Sequence, residues 1–110
     1  MRLLNITLGE TNFMSGKITA FLTREALKLQ RDALKLGEAA KKLTETATEA
    51  EADDILDSVV GLMDRKVWLI CEAYGNRFTP DEVERHLANE EIDLEVNKII
   101  TAASGVIEKN

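Results

Sequence analysis

Leucine recurs every seventh residue at Leu22, Leu29, Leu36 and Leu43, and Ala26, Ala33 and Ala40 fall between them. A period near 3.5 keeps one line of side chains on one face of an α-helix, whereas a strand turns successive side chains to opposite faces. This stretch therefore predicts a helix over 19–43, capped by Thr19 or Thr23, with a second helix laid along it. Alanine lets the facing helix approach closely and leucine fills the gaps. The first reading is a helix pair within one chain, the usual arrangement in small helical domains. The sharper alternative is a self-association seam between subunits made of Leu22, Ala26, Leu29, Ala33, Leu36, Ala40 and Leu43. Leu27 and Leu34 broaden the apolar face, which favours core burial over a narrow coiled-coil seam.

The rest of the chain reads as one domain, 1–110, mainly α: four helices and a small N-terminal β-hairpin. Leu4, Ile6 and Leu8 alternate with Asn5 and Thr7, Gly9-Glu10 interrupts, and Thr11 to Met14 returns. That gives a hairpin and connection over 1–18. Helix 2 is expected over 52–74, after a Thr48-x-x-Glu51 capping box. At about 100° per residue, Leu56, Val60, Met63, Val67, Cys71 and Tyr74 centre one stripe on it, with Val59 and Ile70 beside them. This stripe is taken as core. Leu62 and Leu69 lie well off its centre, and Trp68 lies on the other side near Asp57 and Asp64. Helix 3, over 80–88, carries Val83 and Leu87. Helix 4, over 90–107 with Asn89 or Asp93 as its cap, carries Ile92, Val96, Ile99, Ala103 and Val106, flanked by Ile100 and Ile107.

Composition narrows the function classes. The formal charge is −6, which argues against general nucleic-acid binding. No run of 18 apolar residues suits a membrane span, and Met1 to Asn5 lacks the long apolar core of a signal peptide, so a cytoplasmic protein is expected. Cys71, inside an apolar helical run, reads as a small buried hydrophobe. His86 reads as an exposed helix residue, and Asp53, Asp54 and Asp57 as a solvated helix start lacking the glycine and terminal ligand of a calcium loop. With no phosphate-binding glycine loop, zinc pattern or catalytic triad, the expectation is no enzyme, no catalytic residues, no metal and no cofactor. Charge is uneven: the first long helix is locally basic, and the stretch from Thr44 to Asp64 holds seven acidic residues and no basic one. The two helices are read first as complementary within one monomer, and otherwise as a basic face meeting the acidic face of another subunit.

The corner Ala73-Tyr74-Gly75-Asn76-Arg77-Phe78-Thr79-Pro80-Asp81-Glu82-Val83 carries the most specific signal. Gly75 and Asn76 suit the left-handed backbone that closes a helix. Thr79 as N-cap, Pro80 in the first helical position and Glu82 three residues after the cap form a helix start. Phe78 and Val83 are spaced as a hydrophobic staple. An apolar helix, then Tyr-Gly-Asn-Arg-Phe-Thr, a short acidic helix and a last amphipathic helix resembles the tail assembly chaperones of long-tailed bacteriophages.

The resemblance implies a protein that binds the tape measure protein, keeps it soluble and hands it to tail tube subunits. It implies action in the host cytoplasm and absence from the mature virion. On the surplus apolarity of helix 2, Leu62, Trp68 and Leu69 are the expected client-binding positions, and the Leu/Ala seam a possible route to a homo-oligomer. The competing class is a self-assembling structural or adaptor protein of a phage particle, with no client. A small helical regulator is the weaker third, since no basic recognition helix stands out.

Overall fold

The structure, a computed structural model, describes residues 3–42 and 48–104. The elements run β1 (Asn5–Leu8), β2 (Thr11–Met14), α1 (Ala20–Lys42), α2 (Glu49–Ala73), α3 (Pro80–His86) and α4 (Asn89–Ser104). Four helices and a two-stranded antiparallel hairpin are as expected; several boundaries move. Leu43, the turn after it, and the expected end of the last helix with Val106 and Ile107 fall outside the described residues.

The hairpin pairs Asn5 with Met14, Ile6 with Phe13, Thr7 with Asn12 and Leu8 with Thr11. Leu4, Ile6 and Leu8 are buried, as their alternation requires, because successive side chains of a strand face opposite ways. The turn is Gly9-Glu10, with φ +62° at Gly9. Glycine is needed there twice over: it has no Cβ penalty at positive φ, and a Cβ would lie 3.1 Å from His86 Nε2. A two-stranded hairpin is marginal alone, so its attachments matter. Buried Ser15 supplies one: its backbone N–H donates to the Leu4 carbonyl at 2.8 Å, and its Oγ accepts from the Leu4 N–H at 2.8 Å. The Arg77 guanidinium donates to the Met14 carbonyl at 3.0 Å, and the Gly16 N–H to the Ala73 carbonyl at 3.3 Å. The hairpin is thus fastened to the end of α2 and the corner after it.

That corner forms as its residues require. Gly75 and Asn76 take φ +71° and +57°, and the Asn76 N–H closes back on the Cys71 carbonyl at 2.8 Å. Thr79 caps α3: its Oγ1 accepts from the Glu82 N–H, while the Glu82 carboxylate accepts from the Thr79 N–H at 2.8 Å. Phe78 and Val83 are both buried in one cluster, and Phe78 packs edge-on to Phe13 with centroids 4.9 Å apart. Thr19 Oγ1 accepts from the Leu22 N–H, fixing the start of α1. Thr48 and Glu51 form the expected capping box, and α2 begins at Glu49, three residues before the expected start at Ala52. Neither Asn89 nor Asp93 caps α4; Glu91 reaches back to accept the Ala88 N–H at 2.7 Å.

The core is one cluster drawn from every element except β2, whose Phe13 packs against it. Leu22, Ala26 and Leu29 of the seam are buried in it, so this half is an internal interface and not a surface for a second subunit. Further along α1, Ala33 and Leu36 are half-buried and Ala40 is exposed. The core is lopsided. It takes the last turns of α2, from Val67 to Tyr74, but not the first half of that helix. The α1 and α2 halves farthest from the hairpin therefore form a helical arm extending from a packed base, in a molecule 48 Å along its longest axis.

Candidate functional site

The arm carries the candidate surface. Along α2, Ile55, Leu62 and Leu69 recur every seven residues. Ile55 and Leu62 are half-buried, and Leu69 is buried at 1% exposure. This line faces α1. From it, at about 100° per residue, Leu56 and Met63 lie roughly a third of a turn to one side with Val67 further round, and Arg65 lies roughly a sixth of a turn to the other. Arg65 Nη1 bonds Asp32 Oδ2 of α1 at 2.6 Å. The Leu56–Val67 side is therefore the face of the helix pair opposite the ion pair. Leu34, nearly half a turn from Asp32 on α1, lies on that same face.

This face is one stripe with two surroundings. Over the base, α4 packs against both α1 and α2, and Val67, Ile70, Cys71 and Tyr74 are sealed. The start of α4 lies beside Lys66, whose Nζ bonds Asp93 Oδ1 at 2.8 Å. A notch of about 440 Å³, lined by Met63, Val67, Leu87 and Ile92 among others, marks the junction. Beyond it Leu56 is 61% exposed, Val60 57% and Leu34 68%, with Val59 and Met63 also exposed. A row of large apolar side chains on two adjacent helices, open to water, is a recognised mark of an interaction surface.

The sequence-derived contact residues do not come together here. Leu69 is in the core, so the expectation of a client contact there is overturned: it lies on the seam facing α1, closed off by neighbours. Leu62 is half-buried on the same seam and packs against the core. Trp68 is 38% exposed, but on the opposite face, edge-on to Phe21 with centroids 6.0 Å apart. Conversely, Leu56, Val60 and Met63, assigned to the core from their period, are exposed. The period locates the stripe; it carries no information about where the covering helix begins.

The displaced ionisations lie off this open face, on the ion-pair side and in the base. Asp32 is held down to about 2 by hydrogen bonds from Arg65 and then Arg31. Cys71 is raised to about 11, first by burial and then by Glu72 and Glu82, so at neutral pH it is a thiol and a poor nucleophile. The Tyr74 hydroxyl is buried with no hydrogen-bond partner among the described residues, and burial pushes its pKa up. His86 Nδ1 lies 2.8 Å from the Glu82 carbonyl, and its ring covers the hairpin turn. Among the described residues no three His, Cys, Asp or Glu side chains are grouped to hold a metal, and no helix is long and apolar enough to cross a membrane. A second groove, about 590 Å³, runs between β1 and α4 past Ile6, Leu87, Leu94 and Lys98. One of its charges is already paired internally, Lys98 with Glu95 at 3.1 Å.

A family model described as phage tail chaperone protein matches residues 1–110, the whole chain. No curated protein and no solved structure matches it.

Proposed function

The chain belongs to the phage tail chaperone family, and from that premise we propose that its client is the tape measure protein, which it keeps soluble and yields to tail tube subunits. The observation that carries this reading is the stripe on α2, sealed by α4 in the base and open along the arm. An amphipathic client helix laid there would have its apolar face covered, which is the task of a chaperone for a long helical protein. The open positions Leu56, Val60 and Met63 are the proposed contacts, joined on the other face by Trp68. Release needs no chemistry. Client bound to the arm is in mass-action balance with free client, and tube subunits that bind it more tightly draw it away. On this reading the protein acts in the host cytoplasm before the tail is complete and is absent from the mature virion.

The test is co-expression with the tape measure protein of the same genome, measuring how much of that protein stays soluble and co-purifies. The expected result is strong rescue, lost when tube protein is added and lost in the double variant Leu56→Ser/Val60→Ser. A well-folded chain that neither rescues nor co-purifies with tape measure overturns the reading in favour of a structural or adaptor protein.

A further inference from the structure

We infer that the outer edge of β1 and the groove beside it form a docking site for one extended segment of another protein chain, uncharged and apolar at alternate positions, added antiparallel to the hairpin as a third strand. The site lies on the base, away from the arm, and the inference does not rest on the chaperone reading.

The register decides which backbone groups of β1 face outward. The Ser15 N–H donates to the Leu4 carbonyl at 2.8 Å, which makes Leu4 and Ser15 a hydrogen-bonded pair. Such pairs alternate along an antiparallel ladder, so Ile6 with Phe13 and Leu8 with Thr11 are bonded as well. The N–H and C=O groups of Asn5 and Thr7 therefore point away from β2. They have no other partner among the described residues.

The two edges of the hairpin are unlike. On the β2 edge, the Arg77 guanidinium occupies the Met14 carbonyl. On the β1 edge, Asn5-Ile6-Thr7-Leu8 has no charge, proline or bulge, the usual devices against an added strand. A row of outward N–H and C=O groups is matched by the backbone of another extended chain, and not by a helix, whose own backbone groups are already paired.

The groove suits a single strand. Leu4 to Thr7 line one side and α4 the other. On α4, Glu91, Leu94, Lys98 and Thr101 follow at spacings of three and four, so one face of the helix forms that wall. Four strand residues, at about 3.3 Å each, about 4.8 Å between strands and about 10 Å between layers, fill about 600 Å³. The groove holds about 590 Å³. Leu94, 60% exposed, and half-buried Leu87 and Ala102 give alternate side chains an apolar wall. The charges there are engaged: Lys98 bonds Glu95 at 3.1 Å, and Glu91 accepts the Ala88 N–H. An uncharged segment leaves those pairs intact. A second copy is a poor occupant, because its β1 carries its β2 on the far edge, about 4.8 Å on, where α4 stands.

The test follows backbone amide exchange of the full chain by NMR. In the chain alone, the amides of Asn5 and Thr7 are expected to exchange fast and those of Ile6 and Leu8 slowly. The probe is the acetylated peptide Thr-Val-Thr-Ile-Thr-Val-Thr-Lys-Lys, whose saturating addition is expected to slow Asn5 and Thr7 about tenfold or more. In antiparallel addition with Val and Ile turned toward α4, the threonine N–H groups face β1. N-methylating the threonines is therefore expected to weaken binding about tenfold more than N-methylating the valines and isoleucine. Thr7→Pro removes an outward N–H that the hairpin does not use and is expected to abolish binding. Leu94→Asp, at an exposed position, is expected to weaken it about tenfold with the unfolding midpoint unmoved, and it decides the matter if the proline variant fails to fold. Leu56→Ser/Val60→Ser leaves it unchanged. Asn5 and Thr7 amides already protected in the chain alone overturn the inference: protection independent of concentration means the chain covers its own edge, and protection that grows with concentration means a second copy does. Binding that N-methylated threonines do not weaken, that survives Leu94→Asp, or that the arm variant removes overturns it equally.

Discussion

From Val67 to Ala73 the stripe of α2 is enclosed by α1, α3 and α4, though Trp68 off the stripe stays exposed; from Leu56 to Met63 the same stripe of the same helix faces water. Nothing in local sequence separates the halves. Both are apolar at helical period, and both would bury their stripe if a neighbour were present. The difference is the reach of α4, whose 16 residues span about 24 Å at 1.5 Å per residue, against about 37 Å for the 25 of α2. A helix amphipathic beyond the reach of its own partners is stable where it is packed and adhesive where it is not. In this chain the longest exposed run of the α2 stripe, Leu56, Val59, Val60 and Met63, lies on the arm, and the aromatic contacts of the hairpin and corner lie in the base.

The strongest way to break that contrast is to truncate one leucine in each region. Leu69→Ala leaves a cavity in a sealed core and is expected to cost about 2–5 kcal/mol in urea unfolding. Leu56→Ala removes a side chain already in water and is expected to stay within about 0.5 kcal/mol. Equal losses would mean the arm strip is covered in solution. The two capping boxes sharpen the contrast on a smaller scale. Thr79→Ala is expected to lower global stability by about 1 kcal/mol, because α3 belongs to the packed base. Thr48→Ala is expected to speed amide exchange in the first turns of α2 while leaving the unfolding midpoint nearly unmoved, because the arm tip frays before the base opens.

Much of the base was legible in the residues. Alternation placed Leu4, Ile6 and Leu8 inward, and the run from Gly75 to Val83 specified its own corner, since φ preference, cap and staple all act within a few residues. The heptad of α1 correctly required a helix facing it. What could not be read were properties of distance. Arg77 on the Met14 carbonyl and Ser15 on Leu4 join positions whose meeting depends on the finished fold. The candidate surface failed for the same reason. Leu69 looked surplus because it lies off the centre of the widest stripe, yet it continues the Ile55–Leu62 line that faces the Leu/Ala seam. A second heptad on α2, set against the first on α1, was the signal that could have placed it inside.

The base also contains a flaw to probe. The Tyr74 hydroxyl is buried without a partner among the described residues, and an unmade hydrogen bond in a core is a cost. Tyr74→Phe keeps the ring against Phe78, 5.7 Å away between centroids, and removes the orphaned oxygen. The expected outcome is unchanged or higher stability, by up to about 1 kcal/mol. A loss above that would mean the hydroxyl has a partner in solution, and the base would then be less dry than the contrast with the arm requires.

The smallest effect belongs to the ion pair that joins the two arm helices. Asp32 ionises near 2 in the folded chain, against an ordinary value of 3.8, because Arg65 and then Arg31 bond its carboxylate. A carboxyl whose folded pKa is depressed contributes stability that is fully present above its unfolded value and is lost as pH falls toward the folded one. The difference in melting midpoint between wild type and Asp32→Asn should therefore be constant from neutral pH down to about 4, then close as pH approaches 2. It should be small throughout, since both partners are substantially exposed and solvent screens them. Added salt should shrink it further at neutral pH. A gap independent of pH would assign the effect of the substitution to packing or helix propensity, and the Asp32–Arg65 pair would then add nothing to the apolar contacts of the Ile55–Leu62 line.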